Sequence, residues 1–192
     1  MPLFGTFAAA SNKNLGVYRR KSPLVQYQSQ SNTSGLFGRR YSGYFADDVN
    51  WFATATLSGT SRADTTIDYT DNFPNSPADN FSMEWQGYFK ASITGTWNFK
   101  TQSDDASWLW LGATALSGWS TTNALVDNRG LHGPQIVSGN ISLVAGNYYP
   151  IRIQYGEQGG GEQMIVRFTP PSGTETTNGT GYYFYNSVTN GY

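Results

Sequence analysis

The stretch SMEWQGYFKASITGTWNFKTQSDDASWLWL, residues 82–111, decides the fold class. Across Ser82–Lys90, Met83, Trp85, Gly87 and Phe89 fall on one side of an extended chain, and Glu84, Gln86, Tyr88 and Lys90 on the other. That period of two belongs to a β-strand with one face in a core. Thr94 and Gly95 signal a turn, and Thr96–Thr101 resumes the alternation with Trp97 and Phe99, so the two runs read as a hairpin. Ser107–Leu111 is apolar on both faces and reads as a strand buried between layers.

The same signals continue on either side. Ile141 and Leu143 lead to a turn at Ala145-Gly146, and Tyr149, Ile151, Ile153 and Tyr155 then alternate with Pro150, Arg152 and Gln154. Met164, Val166 and Phe168 follow, and Gly181–Tyr185 looks like a closing strand. Gly112–Gly139 reads as the longest loop, and Asp47–Leu57 fits a helix or a strand equally well. Many short strands separated by turn signals predict an all-β fold, a β-sandwich of antiparallel strands. Residues 1–34 show no sustained period, yet Leu3, Phe4, Phe7, Leu15, Val17, Leu24 and Val25 are too apolar for a free tail. They read as an extended N-terminal arm with one short strand at Pro23–Tyr27, and residues 35–192 as the sandwich domain.

Composition narrows the chemistry. Six Trp, thirteen Tyr and eleven Phe supply abundant core, which excludes simple disorder. The absence of Cys excludes disulfides, thiol catalysis and thiolate metal sites. The single His132 leaves no multi-histidine site, and in its Gly-rich loop it reads as non-catalytic. A net charge of −1 argues against a nucleic-acid binder, but it conceals an asymmetry. Residues 1–40 carry six basic side chains (Lys13, Arg19, Arg20, Lys21, Arg39, Arg40) and no acid; the rest carry six basic and thirteen acidic, a charge of −7. Lys13, Arg19, Arg20 and Lys21 are therefore candidates for arm-mediated assembly with copies of the chain or other proteins.

No apolar run is long enough to span a membrane. The start, MPLFGTFAAASNKNLG (1–16), lacks the basic and unbroken apolar segments of a signal peptide, so export by another route is expected.

The sharpest local feature is Ser103-Asp104-Asp105-Ala106-Ser107 between two aromatic strands. Adjacent carboxylates repel unless something positive lies nearby; a calcium ion would satisfy them, and so would one Asp capping a turn while the other faces water. Asp47-Asp48 reads as a capping or solvated pair, and Asp64, Asp68, Asp71 and Asp79 as a polar loop without EF-hand spacing. Asp104, Asp105, Glu157 and Glu162 can be paired on paper as glycosidase carboxylates, but nothing in the sequence fixes their separation.

An ordered series of motifs resembles the protective-antigen (PA14) domain superfamily, most closely its GLEYA and flocculin adhesin branch. It comprises GLFGRRY (35–41), NFSMEWQGYF (80–89), TGTWNF (94–99), the Asp104-Asp105 pair, LWLG (109–112), NALV (123–126), LVAGNYYPIRI (143–153), PPSG (170–173) and GYYF (181–184). The resemblance implies a β-sandwich in which two adjacent aspartates, joined by a cis peptide, hold a calcium ion that sugar hydroxyls bind directly. By position these are Asp104 and Asp105. The family completes the calcium shell with an Asn from a second loop; here that loop is YGEQGGGE (155–162), where Glu157 falls nearest and Glu162 is the rival. The family's Trp in this loop and its framing cysteines are missing, so sugar specificity does not carry over. The candidate carbohydrate-binding set is Asp104, Asp105, Trp119, Glu157, Gln158 and Glu162, where Trp119, from the long loop and not from the resemblance, is either a new stacking face or a packed surface residue. FGTFAAAS (4–11) also resembles the openings of small virion proteins of marine bacterial viruses. The expectation is a non-enzymatic virion structural protein, capsid- or tail-associated, carrying a calcium-dependent carbohydrate-binding sandwich. The alternatives are a secreted or cell-surface adhesin and, third, a glycan-active enzyme.

Overall fold

In the computed structural model, which describes residues 32–73 and 79–186, the alternating runs form twelve strands. They are β1 (Asn32–Ser34), β2 (Leu36–Ser42), β3 (Arg62–Asp64), β4 (Asp68–Thr70), β5 (Phe81–Lys90) and β6 (Gly95–Asp104), then β7 (Ala106–Leu111), β8 (Val126–Asn128), β9 (Gln135–Leu143), β10 (Tyr148–Glu157), β11 (Gln163–Thr169) and β12 (Tyr183–Asn186). All pair antiparallel in two sheets. The larger runs β1-β12-β5-β10-β7-β8, with β2 beside the first half of β5 and β3 outside β2; the smaller runs β4-β11-β6-β9.

Strands β5 and β6 do not form the expected hairpin. β5 pairs with β10, β2 and β12, whereas β6 pairs with β11 and β9 in the opposite sheet. The chain crosses between sheets at Ala91–Thr94, and the two aromatic rows meet face to face. Phe89 packs edge-on against Trp97 at 5.2 Å and Phe99 at 5.0 Å between ring centres. A hairpin would set these rows side by side; the crossover lets each seal the other from water.

Between the sheets lie Leu36, Trp85, Phe89, Trp97, Phe99, Ile151, Ile153 and Phe168, all fully buried. A second cluster (Tyr41, Phe45, Val49, Phe52, Trp108, Trp110) covers the outer face of the larger sheet. β7 is therefore buried along its whole length, as its two-sided apolar sequence predicts. The outer face of β10 is polar and still buried: Arg152 pairs with Glu84, donates to Ala115 O and stacks on Trp119.

Other readings change. The supposed loop Gly112–Gly139 contains β8 and the start of β9, where the exposed Ile136 and the side-chain-less Gly139 break up the inward apolar row. Asp47–Leu57 holds one turn of 3-10 helix at Trp51–Ala53. Asp64 and Asp68 lie in strands rather than a polar loop. Asp64 is buried because Arg62, Tyr69 and Trp85 all donate to its carboxylate. Asn32–Ser34, read with the arm, pairs with β12, and Arg39 and Arg40 belong to β2. The expected strand at Pro23–Tyr27 and the basic residues Lys13, Arg19, Arg20 and Lys21 lie outside the described residues.

Candidate functional site

The chain changes sheet a second time at the Asp pair. β6 ends at Asp104 in the smaller sheet, Asp105 alone links it to β7 in the larger, and the peptide between the two aspartates is cis. Beneath this crossing runs a buried polar network. Ser107 Oγ donates to Thr101 Oγ1 at 2.9 Å, and Asn128 Nδ2 donates to Ser103 Oγ at 2.9 Å. Gln135 Nε2 in turn donates to Asn128 Oδ1 at 2.8 Å. These bonds tie the end of one sheet to the start of the other.

Asp105 is buried, and its carboxylate is gripped from two sides. Oδ1 accepts the backbone N–H of His132 at 3.0 Å and Oδ2 that of Gln158 at 3.1 Å. The Asp104 carbonyl accepts the Tyr155 hydroxyl at 2.7 Å. Glu157 ends β10, opposite Phe81, and is fully buried. Its Oε2 lies 3.5 Å from the Tyr155 hydroxyl, while Oε1 is buried without any hydrogen-bond partner. Carboxylate oxygens of Asp104, Asp105 and Glu157 all lie within 4.8 Å of one another.

No Lys or Arg pairs with this trio among the described residues, and the one nearby cationic group, His132, lowers Asp104 by less than burial and Asp105 raise it. Burial, and then the charges of Asp105 and Asp104, push the Glu157 carboxyl up to about 8. Burial and the neighbouring Asp105 also raise Asp104. Clustered, dehydrated carboxylates rising together are what a missing positive charge produces. An all-oxygen donor set with one buried, unpartnered oxygen fits a hard divalent cation such as calcium.

Of the two loop acids, the geometry brings Glu157 to the aspartates. Glu162 stays outside the trio, half-buried, raised by burial and by Asp71 and Asp79 nearby. Gln158 is exposed at the rim of a shallow depression lined by Asp105, Leu131, Gln158 and Gly159. Trp119 does not line that depression. Its indole N–H donates to Val49 O at 3.0 Å, and the Arg152 guanidinium covers its ring at 3.6 Å. Asp48 caps its own turn by accepting from Asn50 N–H, in keeping with the capping reading of that doublet.

Sequence reasoning missed four contributors. The amides of His132 and Gln158 that hold Asp105 carry no side-chain signature. Asp79, which accepts the Gly160 N–H at 2.9 Å and so tethers the same loop, sits in a stretch read only as polar. Leu131, 61% exposed beside Asp105, had a signal in retrospect: a large apolar residue in a Gly-flanked loop with no strand to bury it.

The GLEYA domain family matches residues 81–170, which run from the start of β5 through the end of β11. Solved structures with the same fold include the Epithelial Adhesin 6 A domain from Candida glabrata, in complex with Galβ1-3GlcNAc (19% identity, TM-score 0.66, covering 82% of this chain and 89% of that one). A PA14 sugar-binding domain from an RTX adhesin matches at 16% identity and TM-score 0.62, over 80% of this chain and 99% of that one. An anti-sigma factor domain-containing protein from Clostridium clariflavum matches at 20% identity and TM-score 0.62, over 79% of this chain and 47% of that one, so the chain spans about half its length. No curated protein matches in sequence. The chain is thus similar to the GLEYA domain family from β5 through β11 and shares its two-sheet sandwich fold with these solved structures.

Proposed function

We propose that this sandwich is a calcium-dependent carbohydrate-binding domain with an adhesive, non-catalytic role. The observation that carries the reading is the trio Asp104, Asp105 and Glu157, three carboxylates with no Lys or Arg partner and one buried oxygen without a hydrogen bond. These residues would hold the ion. A bound calcium would supply a Lewis-acidic centre on which vicinal sugar hydroxyls coordinate. The chain's own part is to fix Asp105 through the His132 and Gln158 amides and to offer Gln158 and Leu131 at the rim. Glu162 and Trp119 are second-rank candidates for sugar contact, Glu162 from the same loop and Trp119 only if its free edge reaches a longer glycan.

Support from relatives points the same way, since the solved Epithelial Adhesin domains carry galactosyl disaccharides and the RTX adhesin domain is described as sugar-binding. These relatives favour an adhesin at a cell surface or outside the cell over a capsid- or tail-associated role, for which the fold offers no separate argument. No helix among the described residues is long and apolar enough to cross a membrane. The basic arm residues Lys13, Arg19, Arg20 and Lys21 would then serve to dock the domain on an acidic neighbour or another copy.

The test is a broad glycan array that includes Galβ1-3GlcNAc, probed with the full chain in calcium and in EDTA. Binding that vanishes in EDTA and in the Asp104→Asn/Asp105→Asn double variant is expected. Glycan binding that persists in EDTA, or silence across the array with calcium bound, would contradict the reading.

A further inference from the structure

Away from the carboxylate trio, a cavity of 350 Å³ opens at the edge of the larger sheet, lined by Arg40, Ser58, Gly59, Thr60, Arg62 and Met83 among others. It exists because β3 pairs with β2 only at Leu36–Gly38; past that point the edge of β2 is met by the loop that follows Leu57. Ser58 N–H donates to Arg40 O at 2.9 Å, and Arg40 Nε returns bonds to Ser58 O at 2.8 Å and Ser58 Oγ at 3.2 Å. Gly59, at φ +94°, lays its backbone against the guanidinium; a Cβ there would stand 3.0 Å from Arg40 Nη2.

The guanidinium is thus held in place, but its charge is not answered. Nη1 is buried with no partner, and no ion pair includes Arg40. The arm cannot supply one through its side chains, because every Asp and Glu of the chain lies among the described residues. The other arginine of the cavity is already paired. Arg62 donates to Asp64, which also lines the cavity and whose carboxylate further accepts from Tyr69 and Trp85; none of its hydrogen bonds or ion pairs goes to Arg40. The cavity therefore carries the paired Arg62 and Asp64 and, beyond that pair, one unpaired, partly dehydrated cation, Arg40, beside two hydroxyls (Ser58, Thr60) and an apolar wall (Met83). Dehydrating a charge without a partner is costly, and guanidinium geometry suits planar or tetrahedral oxyanions.

We propose that this cavity is a second binding site, for a small oxyanion: a carboxylate or sulfate group, either free or carried on an acidic sugar. The proposal is independent of the calcium reading, and its test keeps the two apart. Titrations of the full chain are run in EDTA at fixed ionic strength with sodium acetate, sodium sulfate, glucuronate, glucose 6-sulfate and neutral glucose, read by calorimetry and by the Arg40 Nε–H resonance. Saturable binding of anions but not of glucose is expected. A preference for glucuronate and glucose 6-sulfate assigns an acidic sugar, and equal binding of acetate and sulfate assigns the free ion.

Arg40→Gln should weaken binding by about tenfold or more, the loss of one charge-assisted contact. Thr60→Glu, which places a carboxylate at an exposed lining position, should abolish anion binding and keep or raise the melting temperature by pairing Arg40 from within. No saturable anion binding by the wild type, or full binding by Thr60→Glu, overturns the proposal.

Discussion

A carboxylate oxygen sealed among protein atoms with no donor, as Glu157 Oε1 is, leaves the chain two ways to reduce the cost: take up a proton or take up a cation. Both have measurable signs. With its carboxyl raised from the ordinary 4.5 to about 8, the metal-free folded chain binds more protons than the unfolded chain between those values. Stability without metal must therefore fall as pH rises through that window. Melting in EDTA is expected to drop from about pH 5 to about pH 8, and Glu157→Gln should flatten the slope. Asp104 and Glu162 shift the same way, so some slope persists in the variant. An unchanged slope in Glu157→Gln would remove Glu157 from the account. Much of this site was legible in the sequence, because an Asp doublet between aromatic strands is a local pattern. The amides of His132 and Gln158 were not, since any residue supplies a backbone N–H and only the folded loops bring those two to Asp105.

Strands were legible wherever one side alternates against a core, as in β5, β10 and β11. Which sheet each joins was not. The crossover from β5 to β6 and a tight hairpin share the same alternation and the same Gly95; only the distant partners β10 and β11 decide between them. β9 was legible only at its end, through Ile141 and Leu143; its first half was read as loop because Ile136 is exposed and Gly139 leaves a gap in the inward row. Packing of the loops over the larger sheet depends on Gly156, opposite Ala106 in β10–β7. A Cβ there would stand 2.4 Å from Phe45 Cδ1 and 2.6 Å from its Cε1, in a cluster with no slack. Gly156→Val should destabilise the domain by about 1–3 kcal/mol in urea unfolding and, being next to Glu157, weaken calcium binding. A variant as stable as the wild type would show that the outer cluster is loosely packed.

For the whole molecule, near-neutral net charge is the misleading quantity. The acid excess of the sandwich gathers partly at one end, around Asp71, Asp79, Asp104, Asp105, Glu157 and Glu162, while the basic residues Lys13, Arg19, Arg20 and Lys21 sit in the arm. If the arm assembles the chain, deleting residues 1–30 should convert an oligomer to monomer in light scattering, and added salt should weaken the full-length assembly. The melting temperature of the sandwich should stay the same. An unchanged mass after deletion would contradict arm-mediated assembly.

Calcium at the crossing between the sheets joins these observations, and calorimetric titration of calcium into the EDTA-stripped full chain settles it. One ion per chain, with no binding in Asp104→Asn/Asp105→Asn, is the expected result. No binding by the wild type, or binding undiminished in the double variant, would contradict it.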